Sequence, residues 1–244
     1  MARRALIAGN WKMHGRRADV DWVRGFTEAG GAAEAREVAL CPPATLLGDF
    51  ADPLKAAGVA LGAQDCAPGE DGAHTGDVSA AMLADFGCRY VVVGHSERRA
   101  AHGEDDALVR AKADAALAAG LVPIICVGES AQERDQGEAQ SVVSLQLKAS
   151  APGVDGGRIV IAYEPVWAIG SGRTPAGEDI KAMHAAVREA FPGAEPEALR
   201  VLYGGSVKPE NAADILSIEG VDGALVGGAS LDPDGFARIV NADR

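Results

Sequence analysis

The chain has 244 residues, of which 48% are hydrophobic, so it is long enough to bury one large core or two small ones. Its formal net charge of −12 argues against nucleic acid as a main partner, because phosphate backbones bind a basic face. No apolar run of about 18 residues occurs, so we expect no membrane association.

Cysteine and histidine usage narrows the class further. The four cysteines are widely spaced and form no C-x-x-C pair, which predicts reduced thiols in a cytoplasmic protein. The apolar stretch behind the basic start is too short for the core of a secretory signal. The five histidines show no metal-ligand spacing such as H-E-x-x-H, so we expect no metal site.

Eight short apolar or β-branched runs predict strands. In chain order they are Ala5–Ala8, Glu37–Cys41, Val59–Gln64, Arg89–Val93, Val122–Val127, Ile159–Tyr163, Arg200–Tyr203 and Gly223–Val226. Segments rich in Ala, Leu and charged residues separate them and predict helices, most clearly at Leu108–Leu117, Ala139–Ala149 and Ala182–Ala190.

Strands that alternate with helices imply a parallel sheet. Eight such units in roughly 250 residues fit an α/β fold of the closed (β/α)8 barrel type. An open doubly wound sheet is the rival, but no Gly-x-Gly-x-x-Gly follows the first strand. No linker or domain break is evident, so residues 1–244 are expected to form a single barrel domain.

Polar residues follow the predicted strands where a barrel has its working face, just past the carboxyl ends. These exits carry Asn10-Trp11-Lys12 after the first strand, Gly94-His95-Ser96-Glu97 after the fourth, Glu164 after the sixth, Gly204-Gly205-Ser206 after the seventh and Gly227-Gly228 after the eighth. We expect them to converge on one rim.

The sixth exit predicts a base followed by a mobile loop. Glu164 ends a buried run, Pro165 stiffens one hinge, and Gly170 and Gly172 let the backbone approach a ligand. A Glu at a strand end can also be merely solvated, and the local pattern does not separate the two readings.

Other candidates have a functional and a structural interpretation. Lys12 lies at a strand exit between Trp11 and Met13, which favours a pocket role over a solvated charge. His95 at a helix start favours a neutral imidazole that donates a hydrogen bond. Arg98 and Arg99 are expected to be ion-pairing residues. Cys126, with no adjacent base in the sequence, is expected to pack.

The two Gly-Gly pairs predict an anion site. Paired glycines let backbone N–H groups close on phosphate oxygens, and barrels bind phosphate after strands seven and eight. The net charge of −12 opposes a phosphorylated substrate, although screening limits the repulsion beyond roughly 8 Å at physiological salt. Lys12 and inward amides are expected to create a local positive field.

Together these motifs resemble the triosephosphate isomerase family over essentially the whole chain. The segments that carry the resemblance are Gly9-Asn10-Trp11-Lys12-Met13, Gly94-His95-Ser96-Glu97-Arg98-Arg99, Ala162-Tyr163-Glu164-Pro165-Val166-Trp167-Ala168-Ile169-Gly170, Tyr203-Gly204-Gly205-Ser206-Val207 and Gly227-Gly228. The resemblance implies a TIM barrel that interconverts dihydroxyacetone phosphate and D-glyceraldehyde 3-phosphate through an enediolate, in glycolysis and gluconeogenesis.

The resemblance also implies residue roles, with no cofactor. Glu164 would be the base, His95 would polarise the carbonyl, Lys12 would stabilise negative charge with help from Asn10, and Glu97 would partner Lys12. Phosphate would be held by Gly170, Ser206, Gly227 and Gly228. The lid loop would comprise Pro165, Val166, Trp167, Ala168, Ile169, Gly170, Ser171, Gly172, Arg173, Thr174 and Pro175.

A homodimer is implied as well, in which Thr75 would approach Asn10 of the partner subunit and His95 of the partner subunit. Four positions depart from the family's common pattern: Asp65, Asp77, His102 and Pro175. The first three bear on the expected interface. The fixed φ of Pro175 is expected to slow or bias lid motion.

Two other functions compete with this interpretation. A barrel aldolase could use Lys12 as a Schiff base, but the sequence supplies no evident apolar pocket to activate the amine. A non-catalytic barrel that binds sugar phosphates would be expected to lack Glu164 or His95, and both are present.

Overall fold

The computed structural model describes residues 3–31, 36–169 and 175–242. Within these ranges, eight parallel strands close into a barrel, in which each strand pairs with the next along the chain and the eighth pairs with the first. The strands are β1 Leu6–Asn10, β2 Glu37–Cys41, β3 Ala60–Ala63, β4 Tyr90–Val93, β5 Val122–Val127, β6 Val160–Tyr163, β7 Arg200–Tyr203 and β8 Gly223–Val226.

Ten α-helices in the described ranges surround this barrel. They are α1 Trp22–Glu28, α2 Leu47–Ala56, α3 Ala80–Asp85, α4 Ser96–His102, α5 Asp106–Ala118, α6 Ala131–Asp135, α7 Ala139–Ser150, α8 Gly177–Ala190, α9 Ala212–Ser217 and α10 Pro233–Val240. None of the helices described is long and apolar enough to cross a membrane.

The predicted (β/α)8 barrel is confirmed, and the differences lie at element ends. Four strands match their predicted bounds. The runs beginning at Ala5, Val59, Arg89 and Ile159 start one residue later in the structure, and the second of these also ends one residue earlier, at Ala63. The first strand was predicted over Ala5–Ala8 but extends to Asn10, because its last two residues still pair with β2. The residue types of Gly9 and Asn10 do not predict this pairing, because it depends on a neighbouring strand.

The predicted helices are also longer in the structure. The segments at Leu108 and Ala139 lie within α5 and α7. The segment predicted from Ala182 is α8, which begins at Gly177 because Glu178 and Asp179 occupy its first turn. Negative side chains there interact favourably with the positive end of the helix dipole.

Alternation along the strands divides the core into two layers. On β5, for example, Ile124 and Cys126 belong to the cluster inside the barrel, whereas Ile125 and Val127 belong to the cluster between strands and helices. Side chains alternate across a strand, so a strand with both faces buried must be apolar at nearly every position. This burial on both faces explains why the predicted strands are continuous apolar runs and do not alternate between apolar and polar residues.

Charged side chains fill the amino-terminal end of the barrel interior. Arg200 donates to Glu37 at 2.8 Å and to the Tyr90 hydroxyl at 3.0 Å. Burial raises the pKa of Glu37, but the hydrogen bonds from Tyr90 and Arg200 outweigh it and hold the pKa below its usual range. This end of the barrel is therefore packed, and the opposite end holds the cavity described below.

Buried His184 on α8 makes the stability of the fold depend on pH. Its Nδ1 lies 3.2 Å from the Gly220 carbonyl oxygen, and its ring packs edge-on against Tyr163. Its Nε2 has no hydrogen-bond partner among the described residues. Burial lowers the pKa of His184 from 6.5 to about 4, because the charged imidazolium cannot be solvated there.

We predict that His184 makes the protein less stable in mild acid. Its folded pKa lies below its unfolded pKa, so its contribution is complete above pH 6.5 and is lost as pH falls toward about 4. The loss should reach about 3 kcal/mol by linkage. Urea unfolding of wild type and His184→Gln at fixed protein concentration should show a shallower pH dependence in the variant. Equal pH dependence would contradict this assignment.

Candidate active site

A cavity of about 700 Å³ opens at the carboxyl ends of the strands. Every described strand exit singled out from the sequence contributes to its wall. The residues concerned are Asn10, Lys12, His95, Glu97, Glu164, Ser206, Gly227 and Gly228. Residues far apart in the chain thus meet at one rim, as a closed parallel barrel requires.

Strand alternation explains why two of these side chains point inward. Asn10 continues the inward positions of Leu6 and Ala8, and Glu164 continues those of Val160 and Ala162. The backbone N–H of Glu164 still donates to Val127 O at 2.8 Å, so the pairing between β5 and β6 fixes the position of the Glu164 backbone. Glu164 is 2% exposed, which excludes the merely solvated Glu considered from the sequence.

The Glu164 carboxylate is held by two groups from the β4 exit. Its Oε1 lies 2.9 Å from His95 Nε2, and its Oε2 accepts a hydrogen bond from the Ser96 backbone N–H at 2.9 Å. The carboxylate has both oxygens engaged in a buried setting. Gly94, with φ +68°, turns the chain after β4 so that His95 enters this contact.

The protonation of His95 follows from its two nitrogen atoms. Its Nδ1 accepts a hydrogen bond from the Glu97 N–H at 3.2 Å, so Nδ1 carries no proton and Nε2 is left to donate to Glu164. Burial lowers the pKa of His95, but the charge and hydrogen bond of Glu164 outweigh it and raise the pKa above its usual value. The part of the increase that comes from Glu164 depends on that side chain staying in this position, and the charge of Glu97 adds to it.

Two glycines make room for the Glu164 residue. A Cβ on Gly128 would lie 1.7 Å from the Glu164 carbonyl oxygen, and one on Gly204 would lie 2.9 Å from its Cγ. Both distances are shorter than any ordinary contact, so a side chain at either position would displace Glu164 or its backbone. The chain just past β5 and β7 therefore comes close to Glu164 because Gly128 and Gly204 carry no side chain.

Lys12 is held in an unusual conformation. Its φ of +53° lies in the left-handed region, which costs a non-glycine residue about 1–2 kcal/mol. Its N–H donates to Asn10 Oδ1 at 3.0 Å, and its carbonyl accepts from Gln64 Nε2 at 2.9 Å. Its ammonium pairs with Glu97 Oε1. These contacts keep the charge at the cavity despite the strain.

The two Gly-Gly segments follow the neighbouring strands β7 and β8, and both line the cavity. Gly227 precedes a short 3₁₀ turn, Gly228–Ser230, and its carbonyl accepts a hydrogen bond from the Ser230 hydroxyl at 2.7 Å. Ser206 lines the same end, and its carbonyl accepts from Asn211 Nδ2 at 3.1 Å. Backbone of this kind suits an anion.

The first part of the lid loop is anchored by side-chain contacts to Glu129 and Arg134. Trp167 Nε1 donates to Glu129 Oε1 at 2.8 Å, Tyr163 donates to the same oxygen at 3.1 Å, and the Arg134 guanidinium lies 4.3 Å from the Trp167 ring centroid. Ile169 lines the cavity and Pro175 is buried. The remaining predicted lid residues, Gly170, Ser171, Gly172, Arg173 and Thr174, lie outside the described residues.

A second cavity of about 590 Å³ shares Lys12 with the first and is also lined by Met13. The family departures Asp65, Asp77 and His102 contribute to its wall. Thr75, predicted to act at an interface, is exposed and lines neither of these cavities.

Asp65 belongs to a charge cluster in this wall. Lys112 Nζ lies 2.7 Å from Asp65 Oδ1 and 2.6 Å from Glu104 Oε1, and Arg98 binds both carboxylates. Arg99 pairs with Asp106 at 2.6 Å. Both arginines are thus ion-pairing residues, as the sequence suggested.

Cys126 is fully buried inside the barrel, and burial raises the pKa of its thiol well above the usual value. It packs rather than presenting a thiolate.

Sequence reasoning missed three residues that shape the site. Ser96 was quoted in a motif without a role, and its contribution is a backbone N–H that no side-chain pattern reveals. Gln64 was quoted without a role in the site. Glu129 stands just after Gly128 at the β5 exit, so the rule that placed Glu164 at a strand exit could have found it.

Comparisons with known proteins agree with this geometry. A protein-family model described as triosephosphate isomerase matches residues 5–243. The triosephosphate isomerase of Xanthobacter flavus is 53% identical over 245 residues, which cover 98% of each chain. That of Rhodopirellula baltica is 50% identical and covers 99% of this chain and 98% of its own.

A solved structure gives the same result. The crystal structure of triosephosphate isomerase from Bartonella henselae superposes with a TM-score of 0.90 at 42% identity, covering 98% of both chains. The chain therefore belongs to the triosephosphate isomerase family, and its reaction is the interconversion of dihydroxyacetone phosphate and D-glyceraldehyde 3-phosphate.

Proposed function

We propose that Glu164, His95 and Lys12 carry out this reaction in the cavity at the carboxyl ends of the strands. The observation that carries the proposal is the 2.9 Å contact between the Glu164 carboxylate and His95 Nε2 in the wall of that cavity. A base and a hydrogen-bond donor side by side are what proton transfer next to a carbonyl needs.

Glu164 removes the proton from the carbon next to the carbonyl and returns it to the neighbouring carbon. In the structure its two oxygens are occupied by His95 and Ser96. The side chain must release these partners and turn toward the substrate before it can act. The space left by Gly204 beside its Cγ supports such a movement.

His95 acts as the neutral donor. The hydrogen bond from the Glu97 N–H to Nδ1 leaves Nε2–H facing the cavity. Once Glu164 turns away, its charge and hydrogen bond no longer raise the pKa of His95, and burial, which lowers the pKa, is opposed only by the charge of Glu97. A neutral imidazole then polarises the substrate carbonyl and moves protons between the two oxygens of the enediolate.

Lys12 and Asn10 stabilise the negative charge of the enediolate, and Glu97 orients Lys12. The phosphate group lies against Ser206, Gly227 and Gly228, with the Lys12 side chain close to Gly227. We assign Gly170 to the same role from the family pattern. The lid loop, residues 165–175, excludes water, because a hydrated enediolate would eliminate phosphate. Base, donor and oxyanion cradle suffice for these steps, so the proposal includes no cofactor and no metal.

The Schiff-base alternative gains no support. Lys12 is paired with the Glu97 carboxylate, whereas a Schiff-base lysine needs an apolar pocket that favours its neutral amine.

We also propose that the protein acts as a homodimer, with the second cavity receiving the loop around Thr75 of another copy. Met13 lines this cavity and is 94% exposed. Apolar side chains left in water at a concave surface favour burial by a partner.

The four cysteines are buried free thiols, which supports the cytoplasm as the compartment. We assign residues 1–244 to a single barrel domain.

Shortening the base tests its assignment. In Glu164→Asp the carboxylate is withdrawn from the substrate carbon, and a displacement of about 1 Å can cost about 100-fold in rate. We expect kcat to fall by about 100-fold or more with a smaller change in KM, measured by a coupled assay of glyceraldehyde 3-phosphate conversion. Glu178→Asp on exposed α8 is the matched control. Wild-type kcat in Glu164→Asp would exclude Glu164 as the base.

Removing the charge of Lys12 should affect binding and chemistry together. We expect Lys12→Ala to raise KM and lower kcat, with kcat/KM reduced by about 100-fold or more, as for loss of an oxyanion-hole donor. Lys12→Met, which keeps most of the side chain, should behave alike, and Lys148→Ala should match wild type. An unchanged kcat/KM would rule out Lys12 as an essential charge.

A charge at the proposed interface tests the dimer. Met13→Glu should place an unpaired carboxylate against a buried surface and shift the protein toward monomer in sedimentation velocity at micromolar concentration. Leu145→Glu, at a position 68% exposed on α7, is the matched control and should sediment as wild type. A monomeric wild type, or a variant that dimerises normally, would refute the proposed interface.

A further inference from the structure

The charges in the wall of the main cavity oppose its expected substrate. Four carboxylate residues line it, Glu97, Glu164, Glu210 and Asp232, against two lysines among the described residues, Lys12 and Lys208. The whole chain adds a formal charge of −12. A phosphate dianion that approaches this mouth is repelled unless a cation near the entrance reverses the local field.

Lys12 is poorly suited to attract a distant anion, because its ammonium is paired with Glu97. The carboxylates at the phosphate end are partly compensated in turn. Glu210 lies 3.5 Å from Arg238, and Asp232 accepts a hydrogen bond from the Gly235 N–H at the start of α10.

Lys208 differs from all of these groups. Its side chain is exposed, and its ammonium has no ion pair or hydrogen bond within the part of the chain that the structure describes. It therefore presents a full positive charge at the mouth of the cavity, two residues after Ser206.

The backbone that carries Lys208 is fixed. Asn211 accepts a hydrogen bond from the Lys208 N–H at 2.7 Å and donates to the Ser206 carbonyl at 3.1 Å, and so ties both residues to the start of α9. Pro209 further restricts the chain. The lysine is thus anchored beside the proposed phosphate end while its charged tip remains in water.

We propose that Lys208 recruits the substrate: its charge draws the phosphate dianion of a triose phosphate into the cavity and raises the rate of association, with no part in proton transfer. The inference rests on the proposed placement of the phosphate group at Ser206, Gly227 and Gly228. It resolves the conflict between an acidic chain and an anionic substrate, because association rates respond to local fields rather than to net charge alone.

The test compares Lys208→Met with Lys148→Met, which removes the same charge from an exposed position on α7. At an ionic strength of about 0.01 M, where the screening length is about 30 Å, kcat/KM of Lys208→Met should fall about 3- to 10-fold while kcat stays within about 2-fold of wild type. At about 0.15 M the loss should shrink, because screening shortens to about 8 Å. Lys208→Glu should show a larger loss with the same salt dependence.

Three outcomes would overturn the inference. They are a kcat/KM for Lys208→Met that matches Lys148→Met at low salt, a loss that does not depend on salt, and a fall in kcat equal to the fall in kcat/KM. If wild type turns over triose phosphate and only the salt comparison fails, recruitment by Lys208 is refuted and the proposed function stands. A folded wild type without turnover refutes the assigned catalytic roles as well.

Discussion

The closure of eight parallel strands into a ring governs the rest of this molecule. Because all strands run the same way, every carboxyl end lies on one rim, and residues as distant in sequence as Asn10 and Gly228 share one wall. The interior cannot serve as the site, since it is filled by apolar side chains and closed at the other end by Arg200, Glu37 and Tyr90. The residues proposed for the chemistry therefore lie on the short segments just past the strand ends, whose direction the strands set.

Much of the fold could be predicted from sequence because burial on both faces imposes a simple pattern. Strands such as Val122–Val127 are apolar throughout, and they were located to the residue. The first strand was misjudged because Gly9 and Asn10 owe their conformation to pairing with β2, which is a tertiary effect. The start of α8 was missed because the prediction followed the Ala-rich segment from Ala182, whereas the helix begins at Gly177 with an acidic first turn that stabilises it.

The candidate site, like the fold, was predictable in part. Exits can be located from strand ends, so the positions of Lys12, His95 and Glu164 at one rim could be anticipated. Their contacts could not, because the Glu164–Ser96 hydrogen bond joins residues 68 apart through a backbone amide. The left-handed φ of Lys12 is also invisible in sequence, since nothing in a lysine marks it as strained. The sequence thus identifies the candidate residues, and the structure adds the contacts between them and the backbone conformations that hold them.

The two glycines that border Glu164 limit which sequences can evolve or be engineered at this site. Gly128 and Gly204 are not chemically active, yet a single methyl group at either would collide with the residue proposed as the base. The role proposed for Glu164 thus requires free space around the residue as well as the carboxylate itself. Placing the glutamate, the histidine and the lysine on another barrel would supply the functional groups without the free space that the glutamate needs. A search for hidden isomerases among distant barrels should therefore score small neighbours beside the carboxylate, not the carboxylate alone.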